Sequence, residues 1–280
     1  MTSSVMTGSS AALASDILVP DVLAVDRRYS LVVSTDRHHR VAAQRLRAAV
    51  FRSEPGFRLP AGCADLDADR FDDYCDHLLV REDATGDFVG CYRMLPPEAA
   101  VAAGGYYTAT EFDITEIDAQ NNRVVEMGRA CVRPDHRSGS VLGLMWSGIL
   151  RYLDLTGHDA VMGCVSVPMD SGDGEAVGAH VRGVRDQLMS RHSSSYRAVP
   201  FNPVVVEGVS LDDIPASAKP AMPPLLRGYL RLGATFCGEP ALDPDFGVAD
   251  FVSLLRVSDA NVRYLDRLRS AAAYVESGRA

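Results

Sequence analysis

Residues 124 to 132 read VVEMGRACV, an apolar, strand-like run that carries one carboxylate and one guanidinium three residues apart. Side chains alternate along a strand with period two, so a flat strand sends Glu126 and Arg129 to opposite faces. Gly128 lies between them, and a glycine inside a strand marks a bulge that re-aims its neighbours. One extra residue there turns both charges to one face. A strand this apolar is buried, and charges on its face need partners. The remainder of the chain must supply them.

The length of 280 residues bounds the chain to one large domain or two small ones. With 47% hydrophobic and 23% charged residues it has the make-up of an ordinary globular protein. No apolar run approaches the ~20 residues of a membrane helix. Asp16, Pro20 and Asp21 interrupt the N-terminal apolar residues, against the pattern of a secretory leader. The six cysteines show neither CxxC nor Cys/His metal spacing. No metal is expected, and reduced cysteines in strand-like runs fit a cytoplasmic protein. A formal net charge of −9 argues against nucleic-acid binding, which relies on basic phosphate contacts. An acidic partner would have to dock on a local basic patch.

In chain order, residues 1–27 read as a flexible arm and 28–280 as one domain. Residues 29–34 are β-rich, and Thr35 or Asp36 can cap a helix over 39–52. A loop with Pro55, Gly56 and Pro60 leads to the acidic stretch 65–74. Two β-rich runs, 77–82 and 88–95, flank a turn at Thr85, Gly86 and Asp87 and predict an antiparallel hairpin. A short helix over 97–103 precedes the central strand. Then follow a polar turn, in which His136 is expected to be exposed, a helix over 141–154 and a buried strand over 159–167. Strand, helix and strand at this spacing predict a βαβ crossover with a parallel pair. The segment 170–222 is less regular, with a helix near 176–191. Helices over 225–232 and from Asp259 to about Glu276, with a strand over 251–257 between them, complete the chain. The expected fold class is α/β, or α+β with a mixed sheet.

Several stretches together resemble a known family: Asp69-Arg-Phe-Asp72 with Asp76-His-Leu-Leu-Val80, Val89 to Leu95, Glu126 to Val132, Leu144-Met-Trp146 and Pro224 to Ala234. They are similar to the N-acyltransferases of ornithine-lipid synthesis, which resemble acyl-homoserine-lactone synthases and, distantly, GNAT acetyltransferases. The resemblance implies a GNAT-like fold. It also implies transfer of an acyl group, typically 3-hydroxyacyl, from acyl carrier protein to the α-amine of an amino acid such as ornithine. The product would be lyso-ornithine lipid. The donor would be a phosphopantetheine thioester, with no permanently bound cofactor, and the membrane surface is a candidate peripheral contact.

Two departures bear on substrates. Coenzyme A-dependent GNAT enzymes carry a glycine-rich loop whose backbone N–H groups hold pyrophosphate. Here residues 137–142 read RSGSVL, without the glycine pair, which favours a carrier-protein donor. The ornithine-lipid enzymes also tend to carry Gly-Cys-x-Ser-Phe after the βαβ helix, where this chain has Gly163-Cys-Val-Ser-Val167.

On that footing Glu126 is the expected general base, and such assistance is worth about 10²–10⁴-fold. Backbone N–H groups around Gly128 and Ala130 would meet the oxyanion. Arg93 and Arg129 would fork the acceptor carboxylate. Asp69, Asp72 or Asp76 would meet its cationic end, and Arg47 is a further expected substrate-binding residue. Arg133, Arg137, Arg227 and Arg231 are candidates for docking the carrier protein; the last two share a helical face. The competing readings are a coenzyme A-dependent acetyltransferase, a homoserine-lactone-type synthase, and a non-catalytic module that binds acyl carrier protein or acyl lipid.

Overall fold

Alternating apolar residues along the strands give the sheet two buried faces, and helices cover both. A computed structural model describes residues 17–20, 28–54, 65–118, 123–137, 139–172 and 174–268. The strands are β1 (Ile17–Pro20), β2 (Tyr29–Ser34), β3 (Asp76–Glu82), β4 (Phe88–Leu95), β5 (Phe112–Asp113), β6 (Val124–Val132), β7 (Ala160–Pro168), β8 (Val199–Pro200), β9 (Val205–Val206), β10 (Val209–Ser210), β11 (Thr235–Phe236), β12 (Ala241–Asp243) and β13 (Val248–Arg256). The helices are α1 (Arg37–Ser53), α2 (Pro97–Ala103), α3 (Thr115–Asp118), α4 (Ser140–Thr156), α5 (Ala179–Arg191) and α6 (Pro224–Leu232).

The main sheet runs β1-β2-β3-β4-β6-β7-β13-β11, with β12 also paired to β13. Every pairing is antiparallel except β6 with β7, the pair joined by α4 as the βαβ pattern predicts. Leu31, Leu78, Val80, Tyr92 and Met127 face α4, and Leu79, Cys91 and Cys131 face α1. Asp36 starts α1 by accepting a hydrogen bond from the His38 backbone N–H at 2.6 Å. Gly148 lets α4 lie tight on the sheet, because a Cβ there would meet Leu31 Cδ1 at 2.7 Å.

One expectation changes, that for His136, and two others fall partly outside the described residues. Ile17–Pro20, within the stretch read as an arm, pairs with β2; the rest of that arm lies outside the described residues, as do Pro55, Gly56 and Pro60. The last helix is described only through residue 268. His136 is not exposed: it is 4% accessible, with Nδ1 2.8 Å from the Tyr29 hydroxyl. Residues 134–136 fold into a 3-10 turn that tucks the ring beneath the strand edge.

β6 and β7 pair only from Val124–Ala160 to Glu126–Met162, although both strands run six residues further. Beyond that point they separate. Gly163 stands at the parting, where a Cβ would lie 2.0 Å from the Met127 carbonyl oxygen. Gly163→Ala should therefore force β6 and β7 apart and lower stability by at least the ~1–3 kcal/mol of an overpacked core site. Chemical denaturation against wild type measures this, and an unchanged midpoint would contradict the close approach.

Candidate active site

The bulge exists, one residue beyond where glycine suggested. Cys91 pairs with Cys131 and Arg93 with Gly128, so two residues of β6 oppose Tyr92 alone. The left-handed residue is Arg129, with φ of 53°, rather than Gly128. A non-glycine residue there costs about 1–2 kcal/mol. The extra residue turns Arg129 onto the face that Glu126 occupies, and both side chains meet Tyr107. The Glu126 carboxylate accepts the Tyr107 N–H, and the Arg129 guanidinium lies 5.5 Å from the Tyr107 ring and 4.7 Å from that of Phe246.

A buried charge network underlies the bulge. Arg47 Nε donates to Asp67 at 2.7 Å, and Arg47 Nη2 donates to Asp72 at 2.8 Å and to the Asp67 carbonyl. Arg93 Nη1 donates to Asp69 at 2.6 Å and to Asp72 at 3.2 Å. Gln44 adds a bond to Asp72 at 2.9 Å. Asp69 also caps the 3-10 turn Arg70–Asp73, with Asp72 closing the capping box. Arg47, Arg93 and Asp72 are thus largely spent on one another. Burial opposes ionisation of Asp72, but Arg47 and Arg93 outweigh it and hold the carboxyl well below its usual range. Asp76 lies elsewhere, accepting the Tyr152 hydroxyl of α4 at 2.6 Å.

Arg129 is held more loosely. Its contacts to Asp67 and Asp69 are 3.8 and 3.6 Å, and its Nε is buried without a hydrogen-bond partner among the described residues. It lines a cavity of about 1010 Å³ formed where β6 and β7 part, together with Arg93, Glu126, Gly128 and Ala130.

Glu126 is 4% accessible. Its Oε2 accepts the Tyr107 N–H at 2.7 Å, and its Oε1 accepts the Thr108 N–H at 2.6 Å and the Thr108 hydroxyl at 2.5 Å. Burial pushes its carboxyl upward against these bonds. Asp243 and Asp250 of the same cavity lining, with Glu111, form a group that sequence reasoning missed. Donor oxygens of Glu111, Asp243 and Asp250 lie within 4.8 Å of one another, an arrangement able to receive a cation, whether an ammonium or a hard metal ion. Burial and mutual repulsion push Glu111 up to about 8, and burial pushes Asp250 up to about 6. Ser166 donates to Asp250 at 2.6 Å, and Tyr107 hydrogen-bonds Glu111. The sequence signal was faint: Asp250 is a lone acid at the start of an otherwise apolar strand.

Of the expected docking residues, Arg137, Arg227 and Arg231 line the cavity, whereas Arg133 is paired with Asp135 at 2.7 Å and Asp87 at 3.6 Å. Arg137 bonds Glu54 and the Val132 carbonyl. Lys219, the only lysine of the chain, joins Arg227 and Arg231 on the wall, and these three form no ion pair among the described residues.

The acetyltransferase (GNAT) domain family matches residues 46–147. The L-ornithine N(alpha)-acyltransferase of Agrobacterium fabrum is 34% identical over 238 residues, covering 80% of this chain and 79% of that protein. The enzyme of the same name from Brucella abortus is 34% identical over 237 residues, covering 80% and 83%. Among solved structures, the CoA-dependent acyl-homoserine lactone synthase BjaI with SAM and isopentyl-CoA is 15% identical, with 87% of this chain and 88% of that one covered and a TM-score of 0.46. The mixed sheet and the domain match define a GNAT-type N-acyltransferase. More narrowly, the chain belongs to the family of L-ornithine N(alpha)-acyltransferases.

The network itself is testable. Asp72→Ala leaves Arg47 and Arg93 buried beside too few carboxylates and should cost about 3–5 kcal/mol. A carboxyl with a depressed pKa contributes stability that is present above the unfolded value near ~3.9 and lost as pH falls below it. Wild-type stability should therefore drop on acidification below about pH 4, with a shallower drop in any Asp72→Asn protein that folds. Denaturation midpoints across pH check both.

Proposed function

We propose that the protein moves an acyl group, of the 3-hydroxyacyl type, from acyl carrier protein to the α-amine of ornithine, giving lyso-ornithine lipid. The observation that carries this is one cavity lined by a loosely held guanidinium and by Asp243 and the buried Asp250, with Glu111 clustered beside those two. An amino acid is a zwitterion, and its two ends want these two groups. Arg129 takes the acceptor carboxylate, while Asp250, Asp243 and Glu111 take the ammonium end.

Attack requires a neutral amine. An α-amine titrates near ~8 and a side-chain amine near ~10.4, so neutralising the latter costs about 3 kcal/mol more. The Asp250 and Glu111 carboxyls, raised towards neutrality, suit proton acceptance from the α-amine. The amine nitrogen then bonds to the thioester carbon, the C–S bond breaks, and the departing thiolate takes a proton. Backbone N–H groups of β6 past Glu126, where β7 no longer pairs, can meet the oxyanion. Glu126 acts here by fixing the Tyr107–Thr108 turn, whose tyrosine touches both Arg129 and Glu111.

A second reading keeps Glu126 as the base, favoured by its place on the cavity wall and its upward-shifted carboxyl. The pH dependence separates them. A base works when ionised, so the wild-type rate should rise with pH through about 6 to 8. Asp250→Asn should abolish or displace that rise, whereas Glu126→Gln should lose activity and thermal stability together. If Asp250→Asn and Glu111→Gln both keep the wild-type pH profile, the base is Glu126.

The donor reading rests on Lys219, Arg227 and Arg231, exposed cations on the cavity wall that form no ion pair among the described residues, in a protein whose net charge is −9. An acidic carrier protein complements them. With purified protein and ornithine, acyl carrier protein thioesters should give N-acyl ornithine at higher kcat/KM than coenzyme A thioesters, followed by mass spectrometry. Arg227→Glu with Arg231→Glu should raise the carrier-protein KM at least tenfold. Product from coenzyme A thioesters alone would sink the carrier-protein assignment.

A further inference from the structure

Two cysteines sit side by side next to the bulge, on the α1 face of the sheet. Cys91 of β4 and Cys131 of β6 are register partners, both are free thiols, and both belong to the buried apolar cluster that includes Ala43 and Leu46 of α1. Their sulfurs lie 3.5 Å apart. Register partners on antiparallel strands have Cα atoms about 4.5–5.5 Å apart, inside the range that a disulfide spans. The two sulfurs can therefore be joined without changing how the strands pair.

The two thiols differ in what can reach them. Cys131 is 7% accessible and lines the cavity, whereas Cys91 is 1% accessible and does not line it. An oxidant entering the cavity meets Cys131 first. The hydrogen bond shared with Cys91 and then burial push the Cys131 thiol well above its ordinary range, while the charge of Arg47 works in the opposite sense and favours the thiolate. A slow, enclosed thiol of this kind suits a small, uncharged oxidant. We propose that Cys91 and Cys131 form a dithiol site that hydrogen peroxide converts to a disulfide. The Cys131 sulfur bonds to one peroxide oxygen, the O–O bond breaks, and the departing hydroxide leaves with the thiol proton as water, giving a sulfenic acid. The Cys91 sulfur then bonds to the Cys131 sulfur, and the sulfenic hydroxyl leaves with the Cys91 proton as a second water. The thiols give up two electrons and two protons, and the peroxide takes both. A dithiol reductant reverses the step.

The bond would form beside the strained residue of the bulge. Cys91 Sγ donates to the Arg129 carbonyl oxygen at 3.9 Å, and Arg129 holds its left-handed conformation in this same stretch of backbone. A disulfide has no S–H to donate, so that contact is lost on oxidation. The link also fixes β4 to β6 two residues from Arg129. Both changes fall on the backbone that aims the Arg129 guanidinium at the cavity, so oxidation should weaken acceptor binding. This consequence rests on the assignment of Arg129 to the acceptor carboxylate, whereas the dithiol itself does not.

The full chain, reduced with dithiothreitol, freed of reductant and exposed to hydrogen peroxide, can be unfolded, alkylated, digested and mapped by mass spectrometry. A peptide pair joined through Cys91 and Cys131 is expected, and dithiothreitol should release it. In the oxidised protein the ornithine KM should rise about three- to tenfold, the worth of one weakened hydrogen bond, with the donor KM unaltered and the rise undone by reduction. Cys91→Ala should transfer normally when reduced, keep its ornithine KM under peroxide, and hold Cys131 as a sulfenic acid that dimedone traps. Cys91→Ser replaces it should the alanine variant not fold, and the wild-type map needs neither. The proposal is overturned if both thiols stay alkylatable at a peroxide concentration that oxidises free cysteine in the same tube, or if either is found joined to a different cysteine. Its effect on the acceptor is overturned if the joined pair forms with no change in the ornithine KM, or if Cys91→Ala responds to peroxide like wild type. A protein that forms the joined pair yet acylates no ornithine when reduced would defeat the acceptor reading and leave the dithiol standing.

Discussion

The structure turns on an arginine held in a backbone conformation that arginine disfavours. Arg129 occupies the left-handed region because Asp67, Asp69, Tyr107 and Phe246 surround its guanidinium where a flat strand would not send it. The two aspartates are themselves held by Arg47 and Arg93, so two buried guanidinium groups, the half-buried Arg129 and three carboxylates (Asp67, Asp69, Asp72) neutralise one another across α1, β4, β6 and the turn before β3. No member can be removed without leaving an uncompensated charge in a low-dielectric interior. The bulge adds local twist to β6, and it falls where β6 departs from β7. The charge network and the open cavity are consequently parts of one construction.

Most of the fold was legible because it follows from periodicity. The βαβ unit, the β3–β4 hairpin and α2 carry strong patterns, and their observed limits differ from those expected by two residues or fewer at most ends. The short strands β5 and β8 to β12 were not legible, since a two- or three-residue pairing leaves no periodic trace. The bulge was half legible: its presence followed from two charges on a buried strand, whereas its position was drawn to Gly128 by glycine's freedom. Tertiary contacts overrode that local preference and placed the strain on Arg129. The same reason hid the acidic group. Asp243 and Asp250 sit on the paired strands β12 and β13, and Glu111, more than a hundred residues earlier, joins them only in the folded chain.

The acidic stretch 65–74 shows why residue type alone misassigns roles. Its aspartates have the chemistry to receive an ammonium group, but Asp67, Asp69 and Asp72 are paired with Arg47 and Arg93 and are not among the residues lining the cavity, and those pairings neutralise them. Asp250 has no guanidinium within hydrogen-bonding distance among the described residues. Its proton affinity is set by burial and by Asp243, offset by Ser166. A carboxyl left that way is far better suited to accept a cation or a proton than one already paired.

The parting of β6 and β7 gives the cavity two unlike walls. On the α1 face lie Arg129, Asp250 and the turn held by Glu126, all polar and charged. On the α4 and α6 face lie Met145, Trp146, Tyr92 and Tyr229, apolar with a few hydroxyl and N–H groups. An amphiphilic product needs this asymmetry: its amino-acid head is solvated by charges, and its chain and donor arm by apolar surface. Elsewhere the sheet separates the two walls, so head and chain can be joined only at the gap. There β6 leaves backbone groups unpaired towards β7, and Gly163 keeps the strands close until the gap begins. A fully paired sheet would divide the two substrates. A gap opening earlier, before Glu126, would unseat the Tyr107 turn and with it the packing that holds Arg129.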